Sequence, residues 1–118
     1  MILIVDDDAR IRDAAAGALS AGGHDVIAAA DGAEALEICR TQPNIELVIT
    51  DVVMPRLRGP EFVARATQFR PDLRIIYISG SIGDTPPDAL GDYPFITKPF
   101  TARTLLAVAE EALGGQIR

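Results

Sequence analysis

Five short apolar runs, separated by segments of helical period, constrain this chain more than any other feature. "ILIV" (2–5), "LVIT" (47–50) and "IIYI" (75–78) are continuous rather than alternating, which is the pattern of strands buried on both faces. "DVIAAA" (25–30) and "PFIT" (94–97) are weaker and fit edge strands. Between the runs the period lengthens. Ile11, Ala14, Ala15, Ala18 and Leu19 mark one face of a first helix closed by Gly22-Gly23. Asp31 with Glu34 reads as a capping box opening a second helix through Ala35, Leu36 and Cys39. Gly59-Pro60 supplies an N-cap and a proline at the first helical position of a third, with Phe62, Val63 and Ala66 facing inward. Thr101 caps a final helix striped by Leu105, Val108, Ala109 and Ala112 and stopped by Gly114-Gly115. The segment from Gly80 to Pro94 holds three glycines and three prolines. It leaves room for about two helical turns around Pro87 to Leu90. Strand–helix five times over predicts an α/β fold: a five-stranded parallel sheet with helices on both faces and right-handed crossovers.

Length and composition bound what such a sheet can do. At 118 residues, 48% apolar and 24% charged, the chain reads as a single domain, 1–118, able to bury a core. A formal charge of −6 provides no electrostatic footprint for direct nucleic-acid binding. The lone cysteine, Cys39, fits a reducing compartment and reads as core filler. No apolar run approaches the roughly 20 residues of a membrane span, and no basic leader precedes Ile2. The expectation is a cytoplasmic domain without a membrane role.

In an open parallel sheet, ligands gather beyond the carboxyl ends of the strands. The residues there are Asp6, Asp7 and Asp8 after the first run, Asp51 after the third, Ser79 after the fourth and Lys98 after the fifth. A dinucleotide or P-loop site would place glycines in the first βα turn. Negative charge stands there instead, which repels bare phosphate and suits a hard divalent cation such as Mg²⁺. Asp8 is placed to cap the first helix, leaving Asp6 and Asp7 for the metal. A carboxylate beside such an ion, here Asp51, is able to attack a phosphoryl group. Lys98 would add positive charge and Ser79 a hydrogen bond, while Gly80 has no side chain to obstruct the incoming group.

"ILIVDDD", "LVITDVVMP", "IIYISG" and "FITKPF", in this order and spacing, resemble the receiver domain of bacterial two-component response regulators over essentially the whole chain. The resemblance implies a flavodoxin-like, doubly wound sheet of strand order 2-1-3-4-5. It implies a phosphoryl group taken from the phosphohistidine of a sensor histidine kinase or phosphotransfer domain, and a switch in binding to an output domain or protein. On that likeness Asp51 is the phosphoacceptor and Ser79 and Lys98 are the hydroxyl and the lysine of the site. Asp6 and Asp7 hold Mg²⁺ with Asp51 and the main-chain carbonyl of Val53. Phe95 falls on an aromatic switch position, and a cis bond is expected between Lys98 and Pro99. Such a domain catalyses only its own phosphorylation and dephosphorylation and is otherwise no enzyme. Three positions depart from the family. Arg58 stands where Asp is common, and the Ser79–Lys98 interval is short and rich in proline. Val53 lacks a polar side chain to orient hydrolytic water, which implies slow self-dephosphorylation.

Plainer roles stand beside these. Asp6 and Asp7 suit helix capping, Lys98 a surface ion pair, Ser79 a turn, Phe95 core packing and His24 a solvated turn. Two other functions compete: a Mg²⁺-dependent phosphohydrolase with an aspartyl nucleophile, and a pseudo-receiver that binds partners without phosphorylation. The first wants its two carboxylates two residues apart on the first strand, plus a lid. The second wants the acidic pair, the acceptor or the lysine lost. The cognate kinase, the output and pairing as a homodimer stay open.

Overall fold

The computed structural model describes residues 1–54, 56–80 and 93–114. Strands β1 (Ile2–Val5), β2 (Val26–Ala29), β3 (Leu47–Asp51), β4 (Arg74–Ser79) and β5 (Phe95–Thr97) form one parallel sheet. Its order is β2-β1-β3-β4-β5, so the two weak runs are the edges, as expected. Helices α1 (Ala9–Ala21), α2 (Gly32–Thr41), α3 (Gly59–Phe69) and α4 (Ala102–Ala112) cover it. The expected turns around Pro87 to Leu90 lie outside the described residues, so α4 is the helix after β5.

The continuous apolar runs have a simple cause. Side chains alternate across a strand, and both faces of this sheet are covered. Leu3, Val5, Val48, Ile75 and Tyr77 pack with Ala35 and Cys39 of α2 and Phe62, Val63 and Ala66 of α3. Their alternates Ile2, Ile4, Ile49, Ile76 and Ile78 pack with Ala15 and Leu19 of α1 and Leu105 and Ala109 of α4. Each large side chain so buried contributes about 1.5–3 kcal/mol. The buried polar residues of the central strands are Thr50 and, at the carboxyl ends, Asp51 and Ser79.

Helix starts follow the sequence with three adjustments. Asp8, Asp31 and Thr101 each cap through a side-chain oxygen, accepting from Arg10, Glu34 and Thr104 N–H. The Glu34 carboxylate reaches back one residue further than a capping box requires, to Ala30 N–H at 2.8 Å. The N-cap of α3 is Arg58 rather than Gly59, with no side-chain cap bond. Gly59 is already helical because its N–H donates to Val52 O at 2.9 Å. A Cβ there would collide with Asp51 O, so only glycine lets the helix start this close to β3. Finally, Ala14 is exposed on α1, the buried stripe being carried by Ala15 and Leu19.

Cys39 is buried, and burial pushes its thiol up to about 11, as suits an inert core residue. His24 is not a purely solvated turn residue. It is partly buried, with Nε2 3.3 Å from Glu110 Oε2 on α4. Among the described residues, no helix is long and apolar enough to cross a membrane.

Candidate functional site

The loop leaving β1 folds back on itself. Asp6 is fully buried, and its Oδ1 accepts Asp8 N–H at 2.9 Å. Asp7, next along, is exposed. From α1, Arg12 Nη1 donates to the main-chain oxygen of Asp6 at 2.8 Å and so holds the turn from behind. On the neighbouring strand, β3 ends in Asp51, only 7% exposed. Ser79 ends β4 and is buried. Lys98 follows β5, its N–H bonded to Ser79 O at 2.9 Å, and the Lys98–Pro99 bond is cis as expected.

These strand ends converge. Lys98 Nζ lies 2.8 Å from Asp6 Oδ2 and 3.1 Å from Asp51 Oδ2. One carboxylate oxygen from each of Asp6, Asp7 and Asp51 comes within 4.8 Å of the others. Asp51 Oδ1 accepts Val53 N–H at 3.4 Å, and the Val53 side chain is exposed. At such separations two carboxylates repel by about 3–4 kcal/mol even with an effective dielectric near 20. The Lys98 ammonium pairs with two of these three carboxylates, Asp6 and Asp51.

Ionisation behaviour reports the same tension. Asp51 sits above the usual carboxyl range, chiefly because burial strips water from its charge. The Lys98 bond pulls it down, and the neighbouring Asp6 charge pushes it up again. For Lys98, burial is the largest influence and lowers it. The carboxylates of Asp6 and Asp51 together outweigh that and hold it above its ordinary value.

The residues present fit a hard divalent ion. The donor set is carboxylate oxygen throughout, as Mg²⁺ prefers. Asp6 Oδ2 is buried, and although it forms an ion pair with Lys98 Nζ it accepts no well-directed hydrogen bond. A buried oxygen with spare accepting capacity is what an incoming cation would use.

The structure thus brings together Asp6, Asp7, Asp51 and Lys98, with Ser79 and Val53 on the same rim. Phe95 is partly buried against the α2/α3 cluster, consistent with core packing. A Cβ added at Gly80 would lie at ordinary contact, 3.7–3.8 Å, from the Lys98 stem. Three residues escaped the sequence reading. Arg12 had no signal beyond its position on α1. Arg56 adopts a left-handed backbone, φ 72°, and pairs its Nε with Asp31 Oδ2 at 3.5 Å. Thr50 did have a signal, a hydroxyl inside the apolar run "LVIT". Its Oγ1 donates to Asp51 O at 3.0 Å.

Comparison with known proteins agrees with this fold. The sequence profile of the family described as "Response regulator receiver domain" matches residues 2–110. The chain is 36% identical over 115 residues to the response regulator receiver protein CpdR of Brucella abortus, covering 95% of each. It is 34% identical over 121 residues to the sensor kinase CckA of the same organism, covering 98% of this chain but only 13% of that protein. The solved receiver domain of NtrX from Brucella abortus superposes with a TM-score of 0.88 at 37% identity, covering 98% of this chain and all of that one.

Proposed function

The chain belongs to the response regulator receiver domain family, and from that premise we propose that it accepts a phosphoryl group on Asp51 and passes the change on to a partner. One observation carries the reading: Lys98 Nζ bridges Asp6 and Asp51 with the Asp7 carboxylate in reach. A charge-compensating lysine and an underpaired acidic cluster surround Asp51, the candidate nucleophile.

Asp6, Asp7, Asp51 and the main-chain carbonyl of Val53 would hold Mg²⁺, which would neutralise charge on the transferred phosphoryl oxygens. An Asp51 carboxylate oxygen attacks phosphorus, the bond from phosphorus to the donor imidazole nitrogen breaks, and that nitrogen keeps the electron pair. Burial helps here, since a poorly solvated carboxylate is less stabilised before it reacts. Lys98 meets the new oxygens with its ammonium and Ser79 with its hydroxyl. As they turn toward the phosphoryl group, Lys98 leaves Asp6 and the β4–β5 side rearranges around Phe95. Such coupling is typically about 1–3 kcal/mol. Next to Lys98 lies a cavity of about 350 Å³ lined by Phe95, Thr97, Phe100 and Thr104 among others, a surface on which an output partner would sense the change. The donor would be a sensor histidine kinase or phosphotransfer domain, and the compartment the cytoplasm.

The test is incubation with Mg²⁺ and acetyl phosphate, followed by intact mass. The expected result is a gain of one phosphate in the wild type and none in Asp51→Asn. No gain in the wild type, or an unchanged gain in the variant, overturns the reading. Sustained phosphate release from ordinary phosphomonoesters would favour a phosphohydrolase instead, and a chain indifferent to both metal and donor would be a pseudo-receiver. The exposed, apolar Val53 beside Asp51 offers no group to orient water. The phosphorylated form is therefore expected to outlive a Val53→Asn variant, and equal lifetimes would remove that role.

A further inference from the structure

Thr50 is fully buried, and its strand neighbours Val48, Val52 and Tyr77 belong to the apolar cluster under α2 and α3. A hydroxyl has one proton to donate. Asp51 O accepts it at 3.0 Å, and Met54 Sδ, at 3.8 Å, is the alternative acceptor. A valine would fill nearly the same volume with no hydroxyl to desolvate. A buried hydroxyl contributes only about 1 kcal/mol net even when paired. Packing alone gives no reason for an oxygen here.

What the oxygen holds is the peptide that follows Asp51. The Val52 end of that peptide is fixed as well, Val52 N donating to Ile78 O at 3.2 Å, and in the next peptide Val52 O accepts from Gly59 N at 2.9 Å. The Gly59 backbone presses on Asp51 O closely enough to exclude a Cβ. One residue on, Val53 N–H reaches the Asp51 carboxylate. We infer that Thr50 is a positioning residue for the phosphoacceptor: its hydroxyl pins the Asp51 carbonyl and thereby sets how the Asp51 carboxylate and the Val53 main chain face the acidic site. The inference rests on Asp51 being that acceptor. Displacement by a fraction of an ångström at a reacting group is enough to slow phosphoryl transfer, which depends mainly on alignment.

The experiment compares wild type, Thr50→Val and Thr50→Ser by three readouts. These are the initial rate of phosphate incorporation from acetyl phosphate at saturating Mg²⁺, hydrogen exchange of the Val53 and Gly59 amides without donor or metal, and Tm. Thr50→Val should be phosphorylated about fivefold more slowly, the factor that corresponds to one hydrogen bond. Its Val53 and Gly59 amides should exchange faster, while Tm stays level or rises. Thr50→Ser should restore both rate and exchange. The proposal is overturned by Thr50→Val at the wild-type rate, by Thr50→Ser as slow as Thr50→Val, or by a lowered Tm with rate and exchange unchanged. A wild type that takes up no phosphate overturns the acceptor reading and this inference together.

Discussion

The two rims of the sheet are each organised around a long cationic side chain, and they use it in opposite ways. At the amino-end rim, the Arg70 guanidinium donates to the main-chain oxygens of Cys39, Gln42, Pro43 and Ile45. It satisfies carbonyls that the end of α2 and the chain entering β3 leave over. Its hydrogen-bond partners are neutral carbonyls, its Nε lies 3.8 Å from the exposed Asp72 carboxylate, and its five donors are largely spent. At the carboxyl-end rim, Lys98 faces the carboxylates of Asp6 and Asp51, with Asp7 alongside and Asp6 Oδ2 still short of a directed hydrogen bond. One rim is closed by its cation; the other keeps surplus negative charge. Saturated polar groups mark structure at the first rim, and unsaturated ones at the second are what the proposed cation site rests on.

The largest effect should come from the closed rim. Arg70→Ala strands several carbonyls and should cost about 3 kcal/mol in urea unfolding, while phosphate uptake per folded molecule is unchanged. A loss below about 1 kcal/mol would mean that water replaces the guanidinium. At the open rim, Lys98→Met in chelator should cost about 2 kcal/mol, held below the usual price of a broken buried pair because Asp51 is able to take up a proton. Added Mg²⁺ should narrow that deficit, and an equal deficit with and without metal would separate the lysine from the cation site.

A smaller effect of opposite sign is expected on the loop between β3 and α3. Arg56 holds φ 72° without being glycine, at a backbone cost of about 1–2 kcal/mol. Its ion pair with Asp31 joins a guanidinium that is 70% exposed, and such pairs contribute little. Arg56→Gly should therefore raise stability by about 0.5–1 kcal/mol once the looser unfolded chain is counted. A loss would show that the pair to Asp31 holds the loop.

The smallest effect is a slope. Asp51 in the folded chain lies above the ordinary carboxyl value of 3.8, so the native state holds that proton more tightly than the unfolded one. Its contribution favours folding below 3.8 and is lost as pH rises through the folded value. Without metal, Asp51→Asn should remove this slope and be slightly more stable than wild type at neutral pH. An unchanged slope would assign it to other carboxylates.

Much of this was legible because both faces of the sheet are covered. A strand with no wet face has no alternation, and "ILIV", "LVIT" and "IIYI" read as central strands for that reason. The weak runs were edges, and the polar residues that ended each run were those delivered to one rim. What stayed illegible depends on tertiary contact rather than period. Gly59 is already helical where β3 leaves no room for a Cβ, so the cap falls on Arg58. Ala14 turned outward because a stripe of alanines does not say which of them meets the sheet. His24 found Glu110 across 86 residues of sequence, and no local pattern carries such a pairing. The backbone of Arg56 left no trace in its side chain.

The central claim is that Asp6, Asp7 and Asp51 share a divalent cation, and thermal unfolding across a Mg²⁺ titration tests it most directly. Binding to the folded state alone should raise the wild-type Tm steadily with the logarithm of Mg²⁺ concentration, reaching about 2.7 kcal/mol of added stability at one hundred times Kd. Asp7→Asn, altered at an exposed position, should lose most of that gain while folding normally. A wild-type Tm indifferent to Mg²⁺, or an equal gain in Asp7→Asn, would contradict the account.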